Sequence, residues 1–240
     1  MAGFNPADFT VAKAKPLPVV LLLDVSASMG PNENETAPIN VLNRAVEQMV
    51  VDFSDNQTNE IEILLSVITF GADVKLHLPY TVANQVEWTP LKASGMTPMG
   101  GAFAMTKAMI EDKEVTPSRA YRPTLVLVSD GGPNDPHWQE RLSSLVNEGR
   151  SKKCDRLAMA VGTQADNKVL KKFIEGTEHT VFQAEDASKI KEFFQFVTMS
   201  VTSRTVSQNP NLVLPDSSIE QSIEHSGTTF ESAEEEDSIF

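Results

Sequence analysis

Val19-Val20-Leu21-Leu22-Leu23-Asp24-Val25-Ser26-Ala27-Ser28-Met29-Gly30 is the stretch whose reading decides the fold. Its five successive apolar residues predict a strand buried on both faces, because a strand with one wet face alternates apolar and polar side chains. Strands of that kind belong to parallel sheets whose crossover helices cover both sides. In such open sheets, ligands bind just beyond the carboxyl ends of the strands, near the point where strand order reverses. The run ends there in Asp24, Ser26 and Ser28. All three offer oxygen, the donor that hard divalent cations take.

Working outward, the same β-then-α alternation recurs. Asn40 to Phe53 carries apolar residues at a helical period. Ile61 to Phe70 reads as a second strand, and Gly71-Ala72-Asp73 turns it into Val74 to Leu78, an antiparallel edge strand. A loop from Val86 to Gly101 leads into a helix from Ala102 to Glu111. Thr124 to Ser129 is a buried strand ending in Asp130. Beyond it come a helix (Trp138 to Gly149), a strand (Arg156 to Val161), a helix (Asn167 to Ile174), a strand (Thr180 to Gln183) and a last helix from Ala187 to Thr202. The expected fold is a doubly wound α/β domain with a mainly parallel central sheet, one antiparallel edge strand and helices on both faces. The organisation that follows is an N-terminal arm over residues 1–17, marked by Pro16 and Pro18, a domain over 18–205 and an acidic tail over 206–240.

Charge is distributed unevenly. The chain carries a formal net charge of −13, and from Thr205 to Phe240 it holds eight acids and no Lys or Arg. That composition predicts a disordered tail. It also argues against nucleic acid or an anionic membrane as partner, since cationic side chains supply those attractions. The single cysteine, Cys154, rules out an intrachain disulfide and fits a reducing compartment. The first residues lack a basic stretch followed by an apolar one, and no apolar run approaches the ~20 residues needed to span a bilayer. The expectation is a cytoplasmic, soluble protein.

Three loops should converge at the carboxyl edge of the sheet. They carry Asp24, Ser26 and Ser28; Thr97 in Gly95-Met96-Thr97-Pro98-Met99-Gly100-Gly101; and Asp130. Two carboxylates and three hydroxyls suit Mg²⁺, with Mn²⁺ or Ca²⁺ as alternatives, and suit Zn²⁺ poorly because no His or Cys accompanies them. If neutral hydroxyls take inner positions, two carboxylates only just balance a divalent charge. An incoming carboxylate from a partner then completes the shell and gains strongly. Such a site recognises an acidic side chain and does not carry out a reaction.

The sequence here resembles the von Willebrand factor A family, whose metal-ion-dependent adhesion site is Asp-x-Ser-x-Ser, a distant Thr and a distant Asp. Asp24-Val25-Ser26-Ala27-Ser28, Thr97 and Asp130 in Ser-Asp-Gly match that pattern in order and in strand-end position, within roughly Pro18 to Val201. The resemblance implies Ser26, Ser28 and Thr97 as direct ligands, with Asp24 and Asp130 binding directly or through water. A narrower resemblance is to the TerY-like bacterial branch associated with tellurite resistance. It rests on Pro38-Ile39-Asn40-Val41-Leu42-Asn43, Val67-Ile68-Thr69-Phe70-Gly71, Tyr121-Arg122-Pro123, Asp130-Gly131-Gly132-Pro133-Asn134-Asp135 and Trp138. That branch implies a non-enzymatic scaffold in a stress or defence system with an associated protein kinase and phosphatase. The chain departs from it in its acidic, Ser/Thr-containing tail and in lacking a Cys-rich zinc module.

Two other functions compete. A metal-dependent phosphohydrolase also uses acid-tipped strands, but one common design needs a second Asp two residues after the nucleophile, and Ser26 stands there. Neither a Gly-x-x-x-x-Gly-Lys phosphate loop nor a Gly-x-Ser-x-Gly elbow occurs. An adaptor for an ATP-driven remodelling complex is the other alternative, and no residue separates it from the scaffold. Met29, Gly30, Met96, Gly131 and Asn134 are candidate contacts to a partner around the metal. In the tail, Ser217, Ser218, Ser222, Thr228 and Thr229 are candidate phosphate acceptors, and a tail acid docking on the metal is a further option. More ordinary readings stand beside these. Thr97 would cap a helix, Asp135 would be a solvated loop acid, and Met96, Met99, Met105 and Met109 would be packing. His77, His137, His179 and His225 would lie at the surface.

Overall fold

The computed structural model describes residues 14–31, 37–162 and 167–212. Six strands form one sheet: β1 (Lys15–Asp24), β2 (Ile61–Phe70), β3 (Val74–Val82), β4 (Thr124–Ser129), β5 (Asp155–Val161) and β6 (Phe182–Ala184). Their spatial order is β3-β2-β1-β4-β5-β6. All neighbours pair in parallel except β2 and β3, which form the antiparallel edge. The chain leaves β1 toward β2 on one side and returns to β4 on the other, so strand order reverses between β1 and β4. That is where open α/β sheets form a crevice.

Alternation along β1 builds both core layers, because successive side chains of a strand point to opposite faces. Leu17, Val19, Leu21 and Leu23 face a layer formed with α1 (Pro38–Asp55) and α5 (Ala187–Thr205), where they meet Leu42, Val46, Phe53, Phe193 and Val197. Val20 and Leu22 face the other layer with α2 (Met99–Glu111), α3 (Trp138–Asn147) and α4 (Asn167–Phe173), against Phe103, Leu145 and Phe173. All of these side chains are fully buried or within a few per cent of it. Truncating any one of the strand leucines to alanine is expected to cost about 2–5 kcal/mol.

Helix ends follow local chemistry. α1 begins with Pro38, whose fixed φ and missing N–H suit a first turn, and closes with the Asn56 side-chain amide donating to the Asp52 carbonyl at 2.8 Å. Asp186 caps α5, accepting from the Ser188 and Lys189 N–H groups.

The first strand starts at Lys15, so Pro16 and Pro18 lie inside it and not in a loose arm. Lys15 N–H donates to Glu60 O, which turns the backbone N–H groups of the odd residues of β1 toward β2 and those of the even ones toward β4. Pairing with β4 begins only at Val19. Both prolines therefore sit where no neighbouring strand needs their N–H. At the other end, residues 206–212 stay beside the end of α5, with the buried Arg204 guanidinium donating to Pro210 O at 2.6 Å. The tail phosphate candidates, Ser217, Ser218, Ser222, Thr228 and Thr229, lie outside the described residues.

One histidine departs from the surface reading. His179 is buried, and its Nε2 lies 3.1 Å from Asp155 Oδ1. A short polar stretch before β6 gave no periodicity from which to read that burial. Cys154 is buried at the start of β5, where desolvation pushes its thiol up to about 12, as its structural reading requires. Among the described residues, no helix is long and apolar enough to cross a membrane.

Candidate metal centre

The end of β1 delivers Asp24 into the crevice fully buried, and the end of β4 delivers Asp130 beside it. The two strands are locked at that level by Ser129, whose hydroxyl donates to Asp24 Oδ2 at 2.5 Å. The other Asp24 oxygen accepts the Ser26 N–H at 2.8 Å. That bond bends the chain into a short 3₁₀ turn, Ala27–Met29, and brings the Ser26 and Ser28 hydroxyls within 3.0 Å of each other. Ser28 is exposed while Ser26 is buried, so the hydroxyl pair faces outward from the crevice floor.

Backbone bonds join the second loop to the first. Ala27 N–H donates to Gly95 O at 3.0 Å, and Ser94 N–H donates to Val25 O at 2.7 Å. This approach needs glycine twice. Gly95 has φ +80°, and a β-carbon there would fall 2.3 Å from Ala72 Cα; one on Gly71 would fall 2.6 Å from Ser94 O. Asn134 N–H then donates to Thr97 O at 3.1 Å, tying the second loop to the third. The structure thus brings Asp24, Ser26, Ser28, Thr97 and Asp130 to one edge of the sheet, from three loops tied by hydrogen bonds.

Thr97 does not cap α2. Among the described residues its hydroxyl makes no hydrogen bond, and Asp135 serves that helix end instead. The Asp135 carboxylate accepts the Gly100 and Gly101 N–H groups, each at 2.9 Å, and pairs with Arg141 at 3.2 Å. Asp135 is therefore a built-in part of the loop and not a solvated acid. Sequence reading missed it because the helix it caps is distant in the chain; an acid facing the paired glycines at the start of α2 was the only available signal.

Of the contact candidates, Met96 is 67% exposed and Asn134 is exposed, while Gly131 is half-buried with open space around its α-carbon. Met29 is fully buried in the core layer and Gly30 is buried beneath the turn. Met29 anchors the loop from below, because the 3₁₀ turn points its side chain inward, and it presents nothing to a partner. Met99 and Met109 are buried and Met105 is half-buried, in keeping with packing, whereas Met96 does not pack, because it stands on the loop before α2 with its side chain in solvent.

Electrostatics favour a cation here. Burial raises the Asp24 pKa to about 6; the Ser129 and Ser26 hydrogen bonds oppose that rise and the charge of Asp130 adds to it. Asp130 Oδ1 is buried and has no hydrogen-bond partner. A buried carboxylate oxygen left unpaired is costly, and a divalent cation is a partner that satisfies it. The donor set of two carboxylates and three hydroxyls is all oxygen, as Mg²⁺ prefers. Among the described residues, no group of three or more His, Cys, Asp or Glu is placed to hold a metal.

A family comparison bears directly on this arrangement. The von Willebrand factor type A domain model matches residues 19–196. The chain belongs to that family. Its members are in general protein-interaction modules, often metal-dependent, built on the six-stranded mixed sheet described above. No curated protein sequence matches the chain. Solved von Willebrand factor A structures share its fold at low identity. One is the ArnB paralog VWA2 from Sulfolobus acidocaldarius (19% identity, TM-score 0.55, covering 79% of this chain and 46% of that one). A second is a von Willebrand factor type A protein from Catenulispora acidiphila (18%, TM-score 0.54, 78% and 42%). A third is proximal thread matrix protein 1 from the mussel byssus, with its adhesion-site motif occupied by zinc (14%, TM-score 0.59, 79% and 48%). The chain spans about half the length of these solved chains.

Proposed function

We propose that this von Willebrand factor A domain is a non-enzymatic adaptor that binds an acidic side chain of a partner protein through a divalent cation, with Mg²⁺ the physiological ion. The observation that carries this reading is the buried, unpartnered Asp130 Oδ1 in the same crevice as Asp24 and the Ser26–Ser28 hydroxyl pair. Asp24, Ser26, Ser28, Thr97 and Asp130 would hold the ion, which supplies Lewis acidity toward a carboxylate oxygen. Ser129 and the Ser26 N–H hold Asp24 in one orientation, and Asp135 holds the loop that carries Thr97. With three of five donors neutral, the site keeps an appetite for one more negative charge, and an Asp or Glu of the partner satisfies it. Exposed Met96 and Asn134 at the rim would supply contacts around that carboxylate.

We place this adaptor in a bacterial stress-response, tellurite-resistance or defence system that includes a protein kinase and a phosphatase, on the TerY-like sequence features alone. Pull-down from native cells in Mg²⁺ or in chelator, with wild type, Asp24→Ala and Ser28→Ala, tests the function. Partners captured only by wild type in Mg²⁺ are expected. Equal capture in all conditions overturns metal-dependent recognition, and phosphoester hydrolysis by the pure protein that is lost in Asp24→Ala would favour an enzyme.

A further inference from the structure

The opposite pole of the sheet carries a second, chemically different surface. Where β4 and β5 begin, a cleft of about 890 Å³ opens, lined by Arg122, Arg150, Lys152, Lys153 and Arg156 against only Asp155 and Glu178. An excess of three positive charges gathers there in a chain whose net charge is −13. The guanidinium groups are fixed by neutral acceptors. Arg156 donates to the Phe173 and Glu175 carbonyls, each at 2.7 Å, and Arg150 donates to the Ile110 and Thr116 carbonyls at 2.7 and 2.8 Å. Such bonds immobilise the cations and leave their charge uncancelled, so they sustain a positive potential over the cleft. Lys152 and Lys153 are exposed, and neither forms an ion pair among the described residues.

The chain itself delivers a counter-charge to this place. Arg122 N–H donates to Asn211 Oδ1 at 2.7 Å, and Leu212 lines the cleft. The 28 residues that follow, 213–240, contain eight acids and no Lys or Arg. We propose that this acidic segment docks in cis on the basic cleft around Lys152 and Lys153.

Distance favours this partner over the metal centre. The first acid, Asp216, follows Leu212 by four residues, a reach of about 14 Å at full extension. That is comparable with the Debye length of about 8–10 Å at ordinary salt, so attraction acts as soon as the segment leaves the domain. The metal centre lies at the far end of the strands, about 20 Å away along β4, and its own Asp24 and Asp130 repel an acidic segment until a cation is bound. A short tether also gives the contact a high effective concentration without any new binding energy.

Paramagnetic relaxation in the full chain tests the proposal. A nitroxide is attached at Ser232→Cys, with the buried Cys154 checked for the absence of label, and amide peaks are read by NMR. Peaks of residues 150–156 and 176–179 are expected to lose most of their intensity. Raising salt from about 0.1 M to about 1 M, which cuts the Debye length from about 10 Å to about 3 Å, should restore them. Lys152→Glu/Lys153→Glu, at two exposed positions, should also restore them with the unfolding temperature unchanged. Several results overturn the proposal: no broadening, broadening centred on Ser26, Ser28 and Thr97, or broadening that survives both the charge reversal and high salt. Broadening seen only between a labelled chain and a separate isotopic chain overturns docking in cis.

Discussion

Replacing Asp24 by asparagine should stabilise the metal-free protein while removing its response to Mg²⁺. Asp24 is fully buried, and burial raises its pKa from 3.8 to about 6. Folded Asp24 therefore keeps its proton over a range in which the unfolded chain has already lost it. Its contribution to stability is fully present below about pH 4 and is lost as pH rises through about 6. That separation corresponds to about 3 kcal/mol at pH 7, the cost of holding an ionised carboxylate in this crevice. Asparagine carries no charge; its carbonyl can still accept the Ser26 N–H and its amide can donate to Ser129 Oγ. Allowing for imperfect bonds, the variant should gain about 1–3 kcal/mol, or about 2–12 °C in unfolding temperature for a domain of this size. Thermal unfolding of the full chain in chelator between pH 4 and pH 7.5 is the assay. Wild type should lose stability across that range relative to the variant. With Mg²⁺ at about 100 times its Kd, wild type should gain about 2.7 kcal/mol and the variant nothing. A variant less stable than wild type in chelator at pH 7, with the same pH slope, would refute the reasoning.

Other consequences follow from the same geometry. Gly95→Ala combines a φ of +80° with a β-carbon 2.3 Å from Ala72 Cα, so it should cost about 3 kcal/mol or more in denaturant unfolding and abolish the Mg²⁺ response. Asp135→Ala removes the acceptor of two helix N–H groups and should destabilise by about 1–2 kcal/mol, with weaker metal binding by calorimetry, because the Thr97 loop loses its tie. Met96→Ser should leave stability within about 0.5 kcal/mol, since the side chain is 67% exposed, yet lower partner affinity measurably in a binding titration. Cys154, with its thiol pushed up to about 12, should resist alkylation at pH 8 in the folded protein and react once urea unfolds it, as mass spectrometry would show.

Strand identity was legible because burial on both faces leaves a plain mark: β2 and β4 occupy Ile61–Phe70 and Thr124–Ser129, the very runs of apolar and β-branched residues that predict them. Helix starts were less so. α2 begins at Met99, earlier than the periodicity suggests, because Asp135 from a distant loop satisfies its first N–H groups and makes Gly100 and Gly101 tolerable in a helix. The metal-ligand candidates were readable from residue types and strand ends, whereas their mutual ties were not. Ala27 to Gly95 and Asn134 to Thr97 are backbone bonds, which leave no trace in side-chain identity. Met29 shows the same limit: its place beside the candidate ligands suggested a rim residue, and a single 3₁₀ turn sends it into the core.

The central claim, that Asp24, Ser26, Ser28, Thr97 and Asp130 together hold one divalent cation, is tested most directly by Mn²⁺ titration of the full chain followed by electron paramagnetic resonance. Ser28→Ala is the decisive comparison, because Ser28 is exposed and, among the described residues, its hydroxyl bonds only to that of Ser26, so the fold should be untouched. The account predicts one bound ion per wild-type chain and affinity weaker by about tenfold or more, about 1.4 kcal/mol, in the variant. Equal binding by both proteins would contradict it.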